Sequence, residues 1–245
     1  MNDATAGRAA TWDAVFEGSV AGQRSWDGAA LSWSRDLLDR ADSKRGSVVD
    51  VGCGESVLVD ALIDDGWGEI TLLDVSAVAL ERVRARLATL PSGQPPSGQP
   101  PSVQPPSSRL DDEGRPELSG TSTRQGAPKV EFIASDVLDW RPSRTFTAWH
   151  DRAVLHFLTE PAERSAYVAL SARALAPGGG LVLGGFAPDG PEKCSGLPVA
   201  RRAADELAAE FAEHFDLEES WRHVHSTPWG AEQSFTWVLM RRHSR

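Results

Sequence analysis

Three acidic residues and a pair of glycines are spaced so that together they could hold a nucleoside. Asp50 lies just before the turn formed by Gly52 and Gly54, Asp74 follows about 20 residues later, and Asp136 ends a third apolar run. Carboxylates accept hydrogen bonds from ribose hydroxyls and from an exocyclic amino group, and glycines let the backbone pass close to a ligand. The pattern therefore indicates a site for a nucleotide-like cofactor.

Each of these acids lies at or near the end of an apolar segment that is typical of a buried strand. The segments are residues 47–51, 70–74 and 130–134, and they are rich in β-branched side chains. In open α/β sheets, ligands bind beyond the carboxyl ends of parallel strands. We therefore expect the three acids to surround one ligand.

Strand-like and helix-like segments alternate along most of the chain. The first glycine turn leads into a helix over residues 56–64, with Ser56 as its N-cap, and a second helix spans residues 77–90. Further strands are expected at residues 145–149, 181–186, 215–222 and 234–240. This order predicts an α/β protein with a doubly wound parallel sheet, and the last two strands predict an antiparallel hairpin at its edge.

Two segments fall outside the alternation. Residues 1–45 contain two expected helices, at 9–18 and at about 29–40, and form a helical N-terminal cap. Residues 91–128 contain a near-repeat of Pro-Ser-Gly-Gln-Pro and many polar residues, a composition that predicts a disordered insertion. The remainder, residues 46–245, is predicted to be one domain.

Composition narrows the classes of partner. The formal net charge of −10 disfavours nucleic acid and anionic membranes as binding partners. Two cysteines, Cys53 and Cys194, make neither a disulfide framework nor a zinc site, and no apolar run approaches the length of a membrane span. We expect a cytoplasmic protein without a signal peptide, membrane span or metal.

Two kinds of cofactor compete for the glycine turn. A nicotinamide or flavin dinucleotide favours Gly-x-Gly-x-x-Gly, but Val57 occupies the third glycine position. S-adenosylmethionine (SAM) favours Asp-x-Gly-x-Gly, and Asp50 supplies that acid. A pyrophosphate needs free N–H groups, whereas the sulfonium and ammonium of SAM tolerate nearby acids. The acid therefore favours SAM.

The chain resembles class I SAM-dependent methyltransferases. The resemblance rests on residues 49–54 (VDVGCG), 72–76 (LLDVS), 135–137 (SDV) and 175–179 (LAPGG). It implies a Rossmann-like, seven-stranded sheet whose last strand is antiparallel. The residues predicted to contact the cofactor are Trp12, Trp26, Asp50, Gly52, Cys53, Gly54, Ser56, Asp74, Val75, Ser76, Ser135, Asp136, Val137 and His150. For Trp12 and Trp26, packing within the cap is the alternative to covering the ligand.

A closer resemblance is to a bacterial branch similar to methyltransferase-like proteins, which include elongation-factor lysine methyltransferases. It rests on residues 12–16, 25–26, 54–56 and 149–158. Those relatives usually carry Asn where this chain has Glu55, and Lys-Gly where it has Arg152 and Ala153. Their protein-lysine substrate is therefore not carried over.

Four residues after the fourth strand lie where the family places acceptor-side groups. They are His150, Asp151, Arg152 and His156, which are the predicted catalytic residues. Either histidine could act as a general base near neutral pH, and Arg152 could bind a carboxylate. The alternatives are that His156 packs in the core and that Asp151 and Arg152 form a structural ion pair.

Together these features predict a SAM-dependent methyltransferase that transfers a methyl group to nitrogen, sulfur or oxygen of a small molecule. The alternative acceptor is a protein lysine. A NAD-binding oxidoreductase and a non-catalytic SAM-binding module are further alternatives. The sequence does not indicate an oligomeric state.

Overall fold

The computed structural model describes residues 3–20, 24–26, 31–89 and 128–244, which form an α/β fold. The α-helices in this part of the chain are α1 Asp3–Glu17, α2 Leu31–Ala41, α3 Leu58–Asp65, α4 Ala77–Thr89, α5 Pro161–Ala174 and α6 Ala204–Phe211, and a 3₁₀ helix spans Leu155–Phe157. The strands are β1 Ser47–Val51, β2 Glu69–Asp74, β3 Lys129–Ala134, β4 Phe146–Arg152, β5 Leu175–Phe186, β6 Lys193–Cys194, β7 Leu197–Pro198, β8 Phe215–Ser226 and β9 Glu232–Arg242. All of the predicted insertion except Pro128 lies outside the described residues, so its disorder stays a prediction.

Seven strands form one sheet, in the order β3-β2-β1-β4-β5-β9-β8. The first five run parallel, and β9 lies antiparallel to both β5 and β8. The predicted Rossmann-like sheet with an antiparallel last strand is therefore confirmed. The strand order reverses between β1 and β4, which is where open α/β sheets bind ligands.

Helices cover both faces of the sheet, so the inner strands are apolar on both sides. Val49 and Trp149 pack on one face with α5 and α6, whereas Val48 and Ala148 pack on the other with α2 and α3. All four side chains have no measurable exposure. This alternation fixes which side chain of each strand points to which face, and it matters for the site below.

Two local predictions differ from the structure. The turn predicted at residues 176–180 is part of β5, because the strand bulges there: the pairing with β4 shifts between Phe146 and Ala148, and Gly178 has φ of +75°. Ser56 is not the N-cap, because α3 begins at Leu58. The Ser56 hydroxyl instead accepts a hydrogen bond from the Leu58 N–H at 3.1 Å, within the turn that precedes the helix.

Candidate functional site

A cavity of about 360 Å³ lies at the carboxyl ends of β1 to β4, below α1. Its volume falls in the range of roughly 300–1,000 Å³ that is usual for small-molecule sites. Twelve of the fourteen residues predicted to contact a cofactor line it: Trp12, Trp26, Gly52, Cys53, Gly54, Ser56, Asp74, Val75, Ser135, Asp136, Val137 and His150. The structure thus brings together residues from four strand ends and from the N-terminal cap.

Several N–H groups of the glycine turn after β1 are already hydrogen-bonded within the fold. The Gly52 N–H donates to the Leu73 carbonyl at 2.7 Å, and the Ser56 N–H donates to the Cys53 carbonyl at 3.0 Å. The Gly54 N–H donates to Asp74 Oδ2 at 2.8 Å. A pyrophosphate binds to N–H groups that are free to donate, so these three are not available to a dinucleotide.

Gly52 also has to be a glycine for the site to close. Its φ is +63°, and a Cβ at this position would lie 2.0 Å from Val154 Cγ2. The turn after β1 therefore packs directly against the segment after β4. This contact joins two parts of the cavity wall, the turn after β1 and the segment after β4.

Asp74 is the buried carboxylate at the end of β2. Its two oxygens accept hydrogen bonds from the Gly54 and Ser76 N–H groups, each at 2.8 Å. Burial raises the pKa of this carboxyl to about 6, and the neighbouring charges of Asp50 and Asp13 also raise it. A carboxylate offers about four acceptor positions, so Asp74 retains capacity for two further donors, such as a pair of hydroxyls.

Asp136, at the end of β3, is tied to α1. Arg8 Nε lies 2.5 Å from Asp136 Oδ2, and Arg8 Nη1 donates to Glu163 Oε1 at 2.8 Å. The other Asp136 oxygen accepts the Leu138 N–H at 2.9 Å. Arg8 thereby holds α1 over this end of the cavity.

Aromatic rings form the wall that faces the strand ends. The Trp12 ring lies 6.2 Å from Trp26 and 5.2 Å from Phe157, in edge-on arrangements. Both tryptophans also line the cavity. Trp12 and Trp26 therefore pack on each other within the cap, and their role in covering a ligand stays a prediction.

Glu55, the residue at which the chain departs from the lysine methyltransferases, holds two arginines. Its carboxylate lies 2.7 Å from Arg24 Nη2 and 2.7 Å from Arg82 Nη1. Arg24 also lies over the rings of Phe16 and Trp26, at 5.1 and 5.7 Å from their centroids. Glu55 thus connects the segment around Arg24 to α4.

Two predicted cofactor contacts, Asp50 and Ser76, do not line the cavity. Asp50 points to the neighbouring strand, where His150 Nδ1 lies 2.7 Å from its Oδ1. Ser76 precedes α4, and its hydroxyl donates to Asp13 Oδ1 at 2.6 Å and accepts the Ala79 N–H at 3.2 Å. Both residues support the site from behind its wall, which corrects their assignment as direct contacts.

The predicted catalytic residues separate into two pairs. His150 and Arg152 line the cavity, and Arg152 Nη1 donates to the Trp26 carbonyl at 3.1 Å. Asp151 and His156 do not line it. Because successive side chains of a strand point to opposite faces, Asp151 lies on the other side of β4 from its two neighbours.

Asp151 accepts three hydrogen bonds in the core. Its donors are the Val154 N–H at 2.8 Å, the Leu155 N–H at 3.0 Å and the Tyr167 hydroxyl at 2.5 Å. Burial raises the pKa of the Asp151 carboxyl to about 6, and the Asp151 charge contributes, after burial, to raising the pKa of Tyr167. This carboxylate organises the turn after β4 and does not contact the cavity.

Solved structures of several methyltransferases share this architecture. The 1,6-didemethyltoxoflavin-N1-methyltransferase of Burkholderia thailandensis, with bound 1,6-didemethyltoxoflavin and S-adenosylhomocysteine, has a TM-score of 0.65 and 18% identity over 99% of this chain and 92% of that chain. The N-methyltransferase NodS of Bradyrhizobium japonicum WM9, with S-adenosylhomocysteine, has a TM-score of 0.58 and 15% identity over 89% of this chain and 90% of that chain. The chain has the class I SAM-dependent methyltransferase fold.

Another structure with a similar fold comes from a study of the conversion of a disulfide bond into a thioacetal group during echinomycin biosynthesis. It has a TM-score of 0.64 and 20% identity over 97% of this chain and 94% of that chain. No protein-family model matches the chain, and no curated protein matches it in sequence. The likeness to the methyltransferase fold is therefore one of structure.

His156 lies behind the cavity wall of this methyltransferase fold. It is 4% exposed, and neither ring nitrogen has a hydrogen-bond partner among the described residues. Its ring packs 4.4 Å from Phe157 and 5.0 Å from Phe186, beside a small void of about 20 Å³. Burial lowers the pKa of His156 to about 3, so the side chain stays neutral in the folded protein. Its position is that of a packing residue.

The buried His156 predicts a pH dependence of stability. In the unfolded chain it takes up a proton near its ordinary pKa of 6.5, whereas in the folded protein it does so only near pH 3. Its contribution is therefore lost as the pH falls below about 6.5, by up to about 1.4 kcal/mol per pH unit. The variant His156→Leu should lack this loss. The difference between its free energy of unfolding and that of the wild type should therefore shift in favour of the variant as the pH falls.

Urea denaturation at a series of pH values between about 4.5 and 7.5 measures this difference. Phe157→Leu, which changes the adjoining ring without removing a titrating group, is the matched control. A stability difference between His156→Leu and the wild type that stays constant over this range contradicts the prediction.

Arg8 and Ser34 are among the lining residues that were not predicted from the sequence. Arg8, Trp12 and Phe16 recur every four residues and line the cavity along one side of α1. This spacing could have identified Arg8, but the first helix was expected to begin at residue 9. Ser34, on α2, carries no such signal.

The described residues also show what the fold does not contain. No group of three or more His, Cys, Asp or Glu side chains in residues 3–20, 24–26, 31–89 and 128–244 is arranged to hold a metal ion. Within the same ranges, no helix combines the length and the apolar character of a membrane span.

Proposed function

We propose that this chain is a SAM-dependent methyltransferase that acts on a small molecule. The observation that carries the proposal is the pairing of Asp74 with a glycine turn in which the N–H groups of Gly52, Gly54 and Ser56 are already bonded. Such a turn offers few donors to a pyrophosphate, yet it places a carboxylate where two hydroxyls of a nucleoside can reach it. This combination favours SAM over a dinucleotide.

The residues present fit SAM. Asp74 would accept the two ribose hydroxyls, and Asp136 would accept the adenine amino group, with Val137 beside the ring. The faces of Trp12 and Trp26 suit a cationic sulfonium, because aromatic rings attract cations. SAM would supply an electrophilic methyl group and leave as S-adenosylhomocysteine.

The acceptor end of the cavity is expected on the side of β4. There His150 and Arg152 come from the strand, Phe157 follows it, and Phe235 and Cys194 complete the wall. A largely apolar wall suits a small organic acceptor, because it excludes water from the transferring methyl group. The similarity to methyltransferases named for 1,6-didemethyltoxoflavin and to N-methyltransferases supports a small molecule, and no observation favours a protein lysine.

Calorimetry with SAM and, separately, with NAD tests the cofactor. We expect the protein to bind SAM and not NAD, and binding of NAD alone would refute the proposal.

Methyl-labelled SAM added with a cell extract, followed by separation of protein from the small-molecule filtrate, tests the acceptor. Label in the filtrate supports a small molecule, whereas label confined to protein refutes this part of the proposal.

A further inference from the structure

A continuous chain of hydrogen bonds joins Ser34, His150 and Asp50 at the cavity wall. The Ser34 hydroxyl oxygen lies 2.9 Å from His150 Nε2, and His150 Nδ1 lies 2.7 Å from Asp50 Oδ1. The three residues are 3%, 2% and 3% exposed. Ser34 and His150 line the cavity, and Asp50 lies behind them.

The fold positions each member of this group. Asp50 and His150 are direct neighbours in the pairing of β1 with β4, so they point to the same face of the sheet. Ser34 comes from α2, which is anchored on that face by the fully buried Leu37 and Leu38. The Trp237 ring lies beside His150, with the two ring centroids 6.3 Å apart.

The distances meet the requirement for an activated hydroxyl. Such a group needs a base within about 2.6–3.2 Å, and the base needs a third group that orients it. A carboxylate accepts hydrogen bonds, so the Nδ1 proton of His150 points to Asp50. Nε2 is then left to accept the hydroxyl proton of Ser34.

We infer that Ser34 is a catalytic residue that receives the proton of the methyl acceptor and passes its own to His150. This inference rests on the proposed methyltransferase function. The acceptor atom would form its bond to the methyl carbon as the bond from that carbon to sulfur breaks. The acceptor proton moves to Ser34 Oγ while the Ser34 proton moves to His150 Nε2, and Asp50 stabilises the imidazolium.

This proton relay, from the acceptor to Ser34 and from Ser34 to His150, is needed for acceptors that keep their proton at neutral pH. A phenolic hydroxyl, for example, has an ordinary pKa of about 10 and attacks poorly while it is protonated. A base placed on the acceptor side therefore selects for a weakly acidic group. Ser34, His150 and the apolar wall formed by Phe157 and Phe235 border the same cavity, so such a group could reach the relay.

Labelling with phenylmethylsulfonyl fluoride tests the activation of Ser34 without an acceptor. The serine oxygen attacks the sulfonyl sulfur, fluoride leaves, and the hydroxyl proton passes to His150. Ser56 and Ser135 line the same cavity and serve as internal controls. By peptide mass spectrometry, Ser34 should react about 100-fold faster than either control serine, the lower range for a positioned base.

Two variants separate the relay from mere exposure. Asp50→Asn and His150→Gln should each slow the labelling of Ser34 by about 100-fold. Equal labelling of Ser34, Ser56 and Ser135 in the wild type would overturn the inference, as would a rate unchanged in both variants. Only the wild-type comparison is needed if a variant does not fold.

Calorimetry of the wild-type protein with SAM keeps the two proposals apart, because SAM binding and the reactivity of Ser34 are then measured on the same protein. If Ser34 is labelled in a protein that does not bind SAM, the methyltransferase proposal is refuted, whereas the activation of the Ser34 hydroxyl is supported. SAM binding with an unreactive Ser34 would refute the relay alone.

Discussion

The Asp74→Ala variant should bind SAM at least about 100-fold more weakly than the wild type. Two hydrogen bonds from ribose hydroxyls to a buried carboxylate contribute about 1.5–3 kcal/mol each, and about 1.4 kcal/mol corresponds to a tenfold change in affinity. Isothermal titration calorimetry of both proteins with SAM measures the change. An unchanged dissociation constant would remove Asp74 from the site.

Asp74 also accepts the N–H groups of Gly54 and Ser76, so the variant could alter the turn itself. Asp74→Asn keeps one acceptor oxygen in nearly the same shape, and its affinity should fall between those of the wild type and Asp74→Ala. Asp216→Ala removes an exposed carboxylate at the start of β8, outside the cavity wall, and should leave SAM affinity unaltered. Circular dichroism identifies a loss of affinity that comes from unfolding.

Asp151→Ala should lower the free energy of unfolding by roughly 3–9 kcal/mol. The change leaves three buried donors, two N–H groups and the Tyr167 hydroxyl, without their acceptor, and each loss costs about 1–3 kcal/mol. Urea denaturation at neutral pH measures the effect. For a protein of ordinary stability, about 5–15 kcal/mol, this is a large part of the total.

Tyr167→Phe is the matched variant, since it keeps the ring and removes only the hydroxyl, which donates to Asp151 and accepts the Trp149 Nε1–H at 2.9 Å. We expect it to cost about 1–3 kcal/mol, because one buried donor loses its acceptor, and this is below the loss in Asp151→Ala. If Asp151→Ala proved as stable as the wild type yet lost SAM binding, Asp151 would belong to the site and not to the core.

The fold class could be read from the sequence because apolar strands alternate with helices. The strand ends at Asp74 and Asp136 were found in the same way, since an acid after a buried run marks the carboxyl edge of a sheet. Asp50 could not be placed in the same way, because its carboxylate is bonded to His150 Nδ1 on the same face of the sheet. That contact joins residues 100 positions apart and produces no local pattern in the sequence.

The missing parts of the site depend on contacts between distant residues. Ser34 meets His150 across 116 positions, and Arg8 meets Asp136 across 128. Neither pairing produces a local pattern, because each depends on how a helix of the cap lies on the finished sheet. His156 was ambiguous for the same reason, since only packing against Phe186 shows that its ring is buried.

The position of β9 has a consequence for the order in which the strands can pair during synthesis. β9 follows all other strands in the chain, yet it lies inside the sheet between β5 and β8. A ribosome-bound chain can pair β1 to β5 early, but β8 has no partner strand until residues 232–242 have been synthesised. Phe235, which lines the cavity, belongs to that strand. The part of the cavity wall that contains Phe235 is therefore completed only after the ends of β1 to β4 have been synthesised.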